Sequence, residues 1–244
     1  MTRAFPPHPA SGHPLPHRGR GQGEGRWGSE KLPNPPPFLN LLDNRPSQFH
    51  ISRMALTPST MLELGTPATD FQLPDTNGKH ISLADFKDKP ALLVVFMCNH
   101  CPYVKHIRAG LVQLANDYQP RGVGIAAINS NDAVNYPDDS PAKMAVEAQA
   151  AGFTFPYLHD ESQAVAKAYR AACTPDLFLF DRGRRLVYRG QFDASRPGNG
   201  IPVTGKDLRA ALDAVLAGKP TSTMQVASIG CNIKWKHGNE PEYH

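Results

Sequence analysis

The sequence predicts an α/β protein in which helices sandwich a mixed β-sheet. Seven consecutive apolar residues at 91–97 indicate a strand buried on both faces, as in a parallel sheet covered by helices. A second apolar run at 124–129 predicts another core strand. Two further apolar stretches, 176–181 and 185–189, flank a glycine and predict an antiparallel hairpin. Strands that alternate with helical segments and end in a hairpin favour this mixed architecture.

Local signals place the remaining elements between these strands. Pro102 falls in the first turn of a predicted helix, where a missing amide donor costs little. Ser140 and Pro141 open a second helix as cap and first residue, and Gly218 ends the last one. In chain order the sequence predicts an Asn-Gly turn at 76–79, a strand at 79–83, helices at 102–118 and 140–151, a strand at 155–158, a helix at 162–172, and a helix at 206–217 capped by Thr204.

The first 53 residues differ in composition from the rest of the chain. They hold ten of the 24 prolines, seven Lys or Arg and three Asp or Glu, so their net charge of +4 equals that of the whole chain. Such a segment cannot bury enough apolar surface to offset its chain entropy. We therefore expect residues 1–57 to be a disordered leader, and an upstream start codon assigned in error would explain it. The near-neutral remainder argues against nucleic-acid binding.

The chain beyond the leader predicts one domain at 58–220 and a C-terminal tail at 221–244. Trp235 and Ile233 suggest that this tail docks on the domain. An N-terminus rich in Pro, His and Gly lacks the apolar stretch of a secretory signal, and no apolar run approaches the ~20 residues of a membrane span. We expect a cytoplasmic protein without a membrane partner.

Two cysteines separated by two residues, in Cys98-Asn99-His100-Cys101, point to redox or metal chemistry. They lie between the strand at 91–97 and the helix that begins near Pro102. A helix N-terminus favours negative charge and so stabilises a thiolate. Four cysteines in 244 residues are too few for a disulfide scaffold.

Several motifs together resemble the peroxiredoxin-like branch of the thioredoxin fold, the alkyl hydroperoxide reductase/thiol-specific antioxidant (redoxin) family. They are the segments 65–71 (Gly-Thr-Pro-Ala-Thr-Asp-Phe), 98–102 (Cys-Asn-His-Cys-Pro) and 173–181, which begins Cys-Thr-Pro-Asp. The resemblance implies a thioredoxin-like three-layer α/β/α sandwich. It also implies a cis bond between Thr174 and Pro175, with the Thr174 backbone binding an extended peptide or a small thiol.

The chain departs from the peroxiredoxin pattern at two positions. Peroxiredoxins carry Pro-x-x-x-Thr-x-x-Cys, and aligning their peroxide-reactive cysteine with Cys101 puts Cys98 where the threonine belongs. Where they carry a catalytic arginine, this sequence reads Thr174-Pro175. The resemblance therefore implies a thioredoxin-type dithiol. Cys98 is the expected exposed, attacking thiolate and Cys101 the resolving thiol. His100, as a cation, would stabilise the thiolate and make the disulfide more oxidising.

The predicted function is thiol–disulfide exchange with an antioxidant or redox-homeostasis role. It needs no dissociable cofactor and no metal. The expected partners are protein or small-molecule disulfides, with thioredoxin or a low-molecular-weight thiol as electron donor. Two alternatives stay open: a peroxidase with Cys101 as the peroxide-reactive sulfur, and a copper- or zinc-binding protein using Cys98, His100, Cys101 and His106.

Cys173 and Cys231 are candidate accessory thiols. Cys173 adjoins the Thr174-Pro175 motif, and Cys231 lies in the tail. One hypothesis is that either relays electrons to a Cys98–Cys101 disulfide; the other is that both are small buried apolar residues.

Overall fold

The structure is a computed structural model that describes residues 56–243. Most of the predicted leader therefore lies outside the described residues. The strands are β1 (Leu56–Pro58), β2 (Gln72–Pro74), β3 (His80–Ser82), β4 (Leu92–Phe96), β5 (Gly124–Asn129), β6 (Tyr157–His159), β7 (Cys173–Thr174), β8 (Asp176–Phe180), β9 (Leu186–Arg189) and β10 (Ile229–Asn232). The α-helices are α1 (Pro102–Tyr118), α2 (Pro141–Ala151), α3 (Ala164–Ala168) and α4 (Lys206–Leu216).

The central sheet has five strands in the order β6-β5-β4-β8-β9. Strands β4, β5 and β6 run parallel, whereas β8 is antiparallel to β4 and β9 is antiparallel to β8. The predicted mixed sheet is thus confirmed. Every residue of β4 and β5 is buried, because both faces of the sheet are covered.

The two faces of this sheet carry separate apolar cores, which makes the molecule three-layered. Alternate residues of β4, such as Leu93 and Val95, pack with α1, α2 and α4 on one face. Their neighbours, such as Leu92 and Val94, pack on the other face with α3 and the β2–β3 hairpin. The period of two along the strand is what divides the side chains between the layers.

A small second sheet joins the two ends of the described chain. Strand β10 lies between β1 and β7 and is antiparallel to both. Leu56 and Thr57, which the sequence assigned to the leader, are therefore strand residues. The tail continues with Ile233 and Trp235 buried in the second core. These strands of two to four residues are too short to show a hydrophobic period, so the sequence did not reveal them.

Other differences from the sequence prediction are local. Helix α3 covers five residues instead of eleven, and Arg170 just after it has a positive φ, a conformation that does not continue a helix. The first residues of α1 and α2 are confirmed, with Pro102 and Pro141 at their first positions. Within residues 56–243, no helix is both long and apolar enough to cross a lipid bilayer.

Candidate functional site

The cysteine pair lies in the connection between the central strand β4 and helix α1. The chain leaves β4 at Phe96, and Cys101 is the N-cap residue of α1. Because β4 is flanked by β5 and β8, this helix end is fixed at the centre of the sheet's edge. The positive end of the α1 dipole therefore points at the sulfur of Cys101.

Three sulfur atoms come together at this point. Cys101 Sγ lies 2.9 Å from Cys231 Sγ, although the two residues are 130 positions apart in the sequence. Cys98 is also close enough to Cys101 to lower its pKa. Cys98 Sγ lies 3.4 Å from Thr174 Oγ1, and the Cys101 thiol can donate to the Thr174 carbonyl oxygen at 3.1 Å. All four cysteines are free and buried.

The pair differs from the sequence prediction in exposure and in charge. The prediction that Cys98 is exposed is wrong. The residue is 1% exposed, because it follows the buried strand β4 and packs in the apolar core. Hydrogen bonds donated by Cys231 and then Cys98 lower the pKa of Cys101 to about 2, outweighing burial. The same bond to Cys101, then burial and the charge of Asp139, raise the pKa of Cys98. Cys101 is thus the thiol of the pair that ionises more readily, and in its neutral form it donates to the Thr174 carbonyl oxygen.

His100 is held by a buried carboxylate that the sequence analysis missed. Its Nδ1 lies 2.6 Å from Asp139 Oδ2, and the hydrogen bond to Asp139 raises the pKa of His100 despite partial burial. The imidazole also stacks on the Tyr136 ring, with the centroids 5.9 Å apart. His100 is therefore fixed against a carboxylate beside the thiols, and its role in tuning them stays a prediction.

Asp139 is fully buried yet ionised. Burial alone would raise the pKa of this carboxyl, but His100 and the Asn131 amide lower it below its ordinary value. Its oxygens also accept the backbone N–H of Asn99 at 2.7 Å and the Asn131 side chain at 2.8 Å. The sequence did not single out Asp139, since no local motif marks a carboxylate that folds back on the start of a helix.

A groove of about 230 Å³ opens to solvent on the His100 side of the pair. Its walls come from the Cys-x-x-Cys segment, α1, α2 and the polar loop before α2. They comprise Asn99, His100, Lys105, Asp138, Lys143, Val146 and Glu147. Neither Cys98 nor Cys101 lines this groove, but Asn99 and His100 between them do.

The opposite side of the pair is closed by the tail. The Thr174–Pro175 bond is cis, as the resemblance implies. However, β10 pairs with β7, with Cys231 opposite Thr174 and Asn232 opposite Cys173. The chain's own tail therefore occupies the Thr174 backbone in this structure, and substrate binding by Thr174 stays a prediction.

Cys173 is close to the site but has different surroundings. Its Sγ lies 3.6 Å from the Pro175 carbonyl oxygen and 4.0 Å from that of Ser228. Burial raises the pKa of its thiol well above the ordinary value. It therefore stays protonated at neutral pH and is a poor nucleophile.

A second buried carboxyl, Asp176, begins β8 directly after the cis bond. Its Oδ2 accepts the Ala172 backbone N–H at 3.2 Å, whereas Oδ1 is buried without a hydrogen-bond partner. Burial raises the pKa of Asp176 to about 7. This side of the site thus holds a carboxyl that is half protonated near neutrality.

The potential metal ligands differ from the set considered in the sequence analysis. The structure brings together Cys98, His100 and Asp139, whose ligand atoms lie within 4.8 Å of one another. This is a soft sulfur, an imidazole and a carboxylate, which suits zinc. The alternative with Cys101 and His106 is replaced, because Cys101 faces Cys231 and Thr174 instead.

Comparisons with known proteins show which family the chain is similar to. The model of the AhpC/TSA family matches residues 64–189. A protein named "Putative peroxiredoxin" from Mycobacterium tuberculosis is 28% identical over 48% of this chain and 69% of its own length. The thiol-disulfide oxidoreductase ResA of Geobacillus thermodenitrificans is 30% identical over 53% of this chain and 70% of its own.

Solved structures extend the comparison to the whole fold. A hypothetical protein from Sinorhizobium meliloti is 59% identical, covers 74% of this chain and 98% of its own, and superposes with a TM-score of 0.73. A more distant thiol–disulfide interchange structure, at 19% identity and a TM-score of 0.51, shares the fold alone. The predicted thioredoxin-like fold is thereby confirmed.

Proposed function

The chain belongs to the AhpC/TSA family, and from this premise we propose that it catalyses thiol–disulfide exchange with the Cys98/Cys101 dithiol. Its relatives include thiol–disulfide oxidoreductases, and the chain is an oxidoreductase of this kind. One observation carries the proposal: the two thiols lie together against Thr174 at the N-terminus of α1, and the pKa of Cys101 is lowered. A thiolate, unlike a thiol, attacks disulfides.

Cys98 is the sulfur that we propose to meet the substrate. The residues that follow it, Asn99 and His100, line the open groove, whereas Cys101 is enclosed by Cys231 and Thr174. As Cys98 attacks a substrate disulfide, its proton passes to the neighbouring Cys101 sulfur. One substrate thiolate leaves, and a mixed disulfide with Cys98 remains.

Cys101 completes the reaction. Because its pKa is low, it gives the proton up again to the departing thiolate and attacks Cys98 Sγ. The bond between Cys98 and the substrate breaks, and a Cys98–Cys101 disulfide forms. The substrate disulfide has gained two electrons and the dithiol has lost two. His100, held as a cation by Asp139, stabilises negative charge on these sulfurs.

Thiols or disulfides are the substrates that this chemistry requires. We further propose that thioredoxin or a low-molecular-weight thiol returns the two electrons, and that the protein works in the cytoplasm in an antioxidant role. Cytoplasmic thiol pools keep cysteines reduced, which suits a site with four free thiols.

Single cysteine variants test the exchange reaction. We expect Cys98→Ser to reduce insulin disulfides at least about 100-fold more slowly than the wild type, because the attacking sulfur is gone. Cys101→Ser should retain a mixed disulfide on Cys98, detectable by mass spectrometry. Cys173→Ser is the matched control, since it removes a buried thiol near the site and should leave the rate unchanged. Full activity of a Cys98→Ser/Cys101→Ser variant would refute the proposal.

A peroxidase is the second candidate, because Cys101 both aligns with the peroxide-reactive cysteine of peroxiredoxins and carries the lowered pKa. In that reaction the Cys101 thiolate attacks the peroxide, becomes a sulfenic acid and releases water or an alcohol. Hydrogen peroxide consumption in the same variants separates the two candidates. Rapid turnover that survives Cys98→Ser and is lost in Cys101→Ser would favour the peroxidase.

A further inference from the structure

We propose that Cys231 is a third redox-active thiol, which forms a disulfide with Cys101. This disulfide links the tail strand β10 covalently to the start of α1 and holds it over the site. This inference rests on the proposed exchange function, because it starts from the Cys98–Cys101 disulfide. It assigns the tail a chemical role: β10 is an internal disulfide partner in the place where a substrate peptide is expected.

The distance between the two sulfurs is the first support. At 2.9 Å, Cys231 Sγ and Cys101 Sγ are already in contact. A disulfide bond is about 2.05 Å long, so the sulfurs need to approach by less than about 1 Å. Both residues are buried, at 2% and 0% exposure, so solvent does not separate them.

The backbone of β10 holds Cys231 in this position from both sides. Cys231 is opposite Leu56 of β1 on one side and Thr174 of β7 on the other. The neighbouring residue, Gly230, approaches the strand so closely that a Cβ there would lie 2.0 Å from the Thr174 carbonyl oxygen. Only glycine permits this approach, so the sequence of β10 fits the Thr174 edge.

The chemistry is an internal thiol–disulfide exchange. The Cys231 thiol loses its proton as its sulfur attacks Cys101 Sγ of the Cys98–Cys101 disulfide. The Cys101–Cys231 bond forms, the Cys98–Cys101 bond breaks, and Cys98 leaves as a thiolate that takes up the proton lost by Cys231. The number of disulfides is unchanged, so no external oxidant or reductant is needed.

The exchange has two consequences for the site. It returns Cys98 to the thiol state beside the groove while the protein remains oxidised. It also moves the disulfide to the closed side, between α1 and β10, where a reductant in the groove reaches it only after Cys98 attacks Cys101 again. The Cys101–Cys231 disulfide thus keeps the protein oxidised at a position that is shielded from solvent.

Peptide mapping tests the pairing directly. Trypsin leaves Cys98 and Cys101 on one peptide (88–105), Cys173 on a second (171–182) and Cys231 on a third (210–234). In folded Cys98→Ser protein treated with one equivalent of diamide, we expect the first and third peptides to be disulfide-linked. Cys98→Ser/Cys173→Ser should keep this link and Cys98→Ser/Cys231→Ser should lose it.

The same map on wild-type protein tests the relay. In a glutathione redox buffer, we expect peptide 88–105 to divide between an internal disulfide and a link to 210–234. If oxidised Cys98→Ser protein keeps Cys101 and Cys231 as alkylatable thiols, or links Cys101 to 171–182, the pairing is wrong. A wild-type map that contains only the internal disulfide overturns the relay.

Insulin reduction, measured in parallel, distinguishes this inference from the proposed function. If wild-type protein forms the link to 210–234 but reduces no disulfide, the proposed function fails and the tail pairing stands. If it reduces insulin and never forms the link, the tail pairing fails and the proposed function stands.

Discussion

The two sides of the dithiol differ in their exposure to solvent and in the groups that contact the cysteines. The groove side is polar and open, and its central group is the His100–Asp139 ion pair. The tail side is closed and has a third thiol, Cys231, in contact with Cys101. The two cysteines therefore differ in pKa although they are only three positions apart. Cys101, then burial and the Asp139 carboxylate, raise the pKa of Cys98, whereas Cys231 and then Cys98 lower that of Cys101.

Two buried carboxyls show the same contrast. Asp139 on the groove side is ionised because His100, Asn131 and a backbone N–H satisfy its oxygens. Asp176 beside the tail is equally buried, but one of its oxygens has no partner, and burial raises its pKa to about 7. Hydrogen-bond donors, and not depth of burial alone, decide which buried carboxyl carries charge.

The largest expected effect is an opposite pH dependence of stability in Asp176→Asn and Asp139→Asn. A raised pKa in the folded state stabilises the protein below the unfolded value of 3.8, and this is lost as the pH rises towards about 7. Relative to wild type, Asp176→Asn should therefore gain on the order of 3 kcal/mol between pH 4 and pH 8. Urea unfolding at several pH values measures it.

Asp139 should behave in the reverse way in the same experiment. Its lowered pKa stabilises the folded state above 3.8, and this contribution is lost as the pH falls through the lower folded value. Asp139→Asn should thus be less stable than wild type at pH 6, and the difference should shrink in acid. Equal pH profiles for the two variants would contradict the contrast between the two sides.

A smaller effect on stability is expected from Gly230→Ala, which disturbs the packing of the closed side. The new Cβ would overlap the Thr174 carbonyl, so β10 must shift. We expect a loss of about 2 kcal/mol in the free energy of unfolding, as for other overpacked sites. Gly183→Ala is the control, since its Cβ would meet nothing closer than 3.4 Å. Equal stability of the two variants would show that the tail is not packed tightly on Thr174.

The smallest expected effect concerns the thiol donor at Cys231. Cys231→Ala removes a hydrogen bond to the Cys101 thiolate and should raise the pKa of Cys101 by about one unit. Cys231→Ser keeps a donor and should shift it less. Ultraviolet absorbance of the thiolate against pH gives the value. Identical titrations for the two variants would mean that Cys231 does not set the charge on Cys101.

The sequence by itself determined the central sheet, the starts of α1 and α2 and the position of the dithiol. These follow from local signals: the apolar run of β4, Pro102 after the cysteine pair, and the capping serine of α2. Such signals act within a few residues, so they are readable without a fold.

The tertiary structure alone decided how the dithiol is tuned. The contacts of Cys101 with Cys231, and of Asn99 with Asp139, join residues 130 and 40 positions apart. The strands that create the tail-side contact are too short to leave a periodic pattern. Burial and hydrogen-bond donors then fix each pKa, and both are properties of neighbours in space. Which cysteine carries the charge is therefore a property of the folded chain, not of the Cys-x-x-Cys motif.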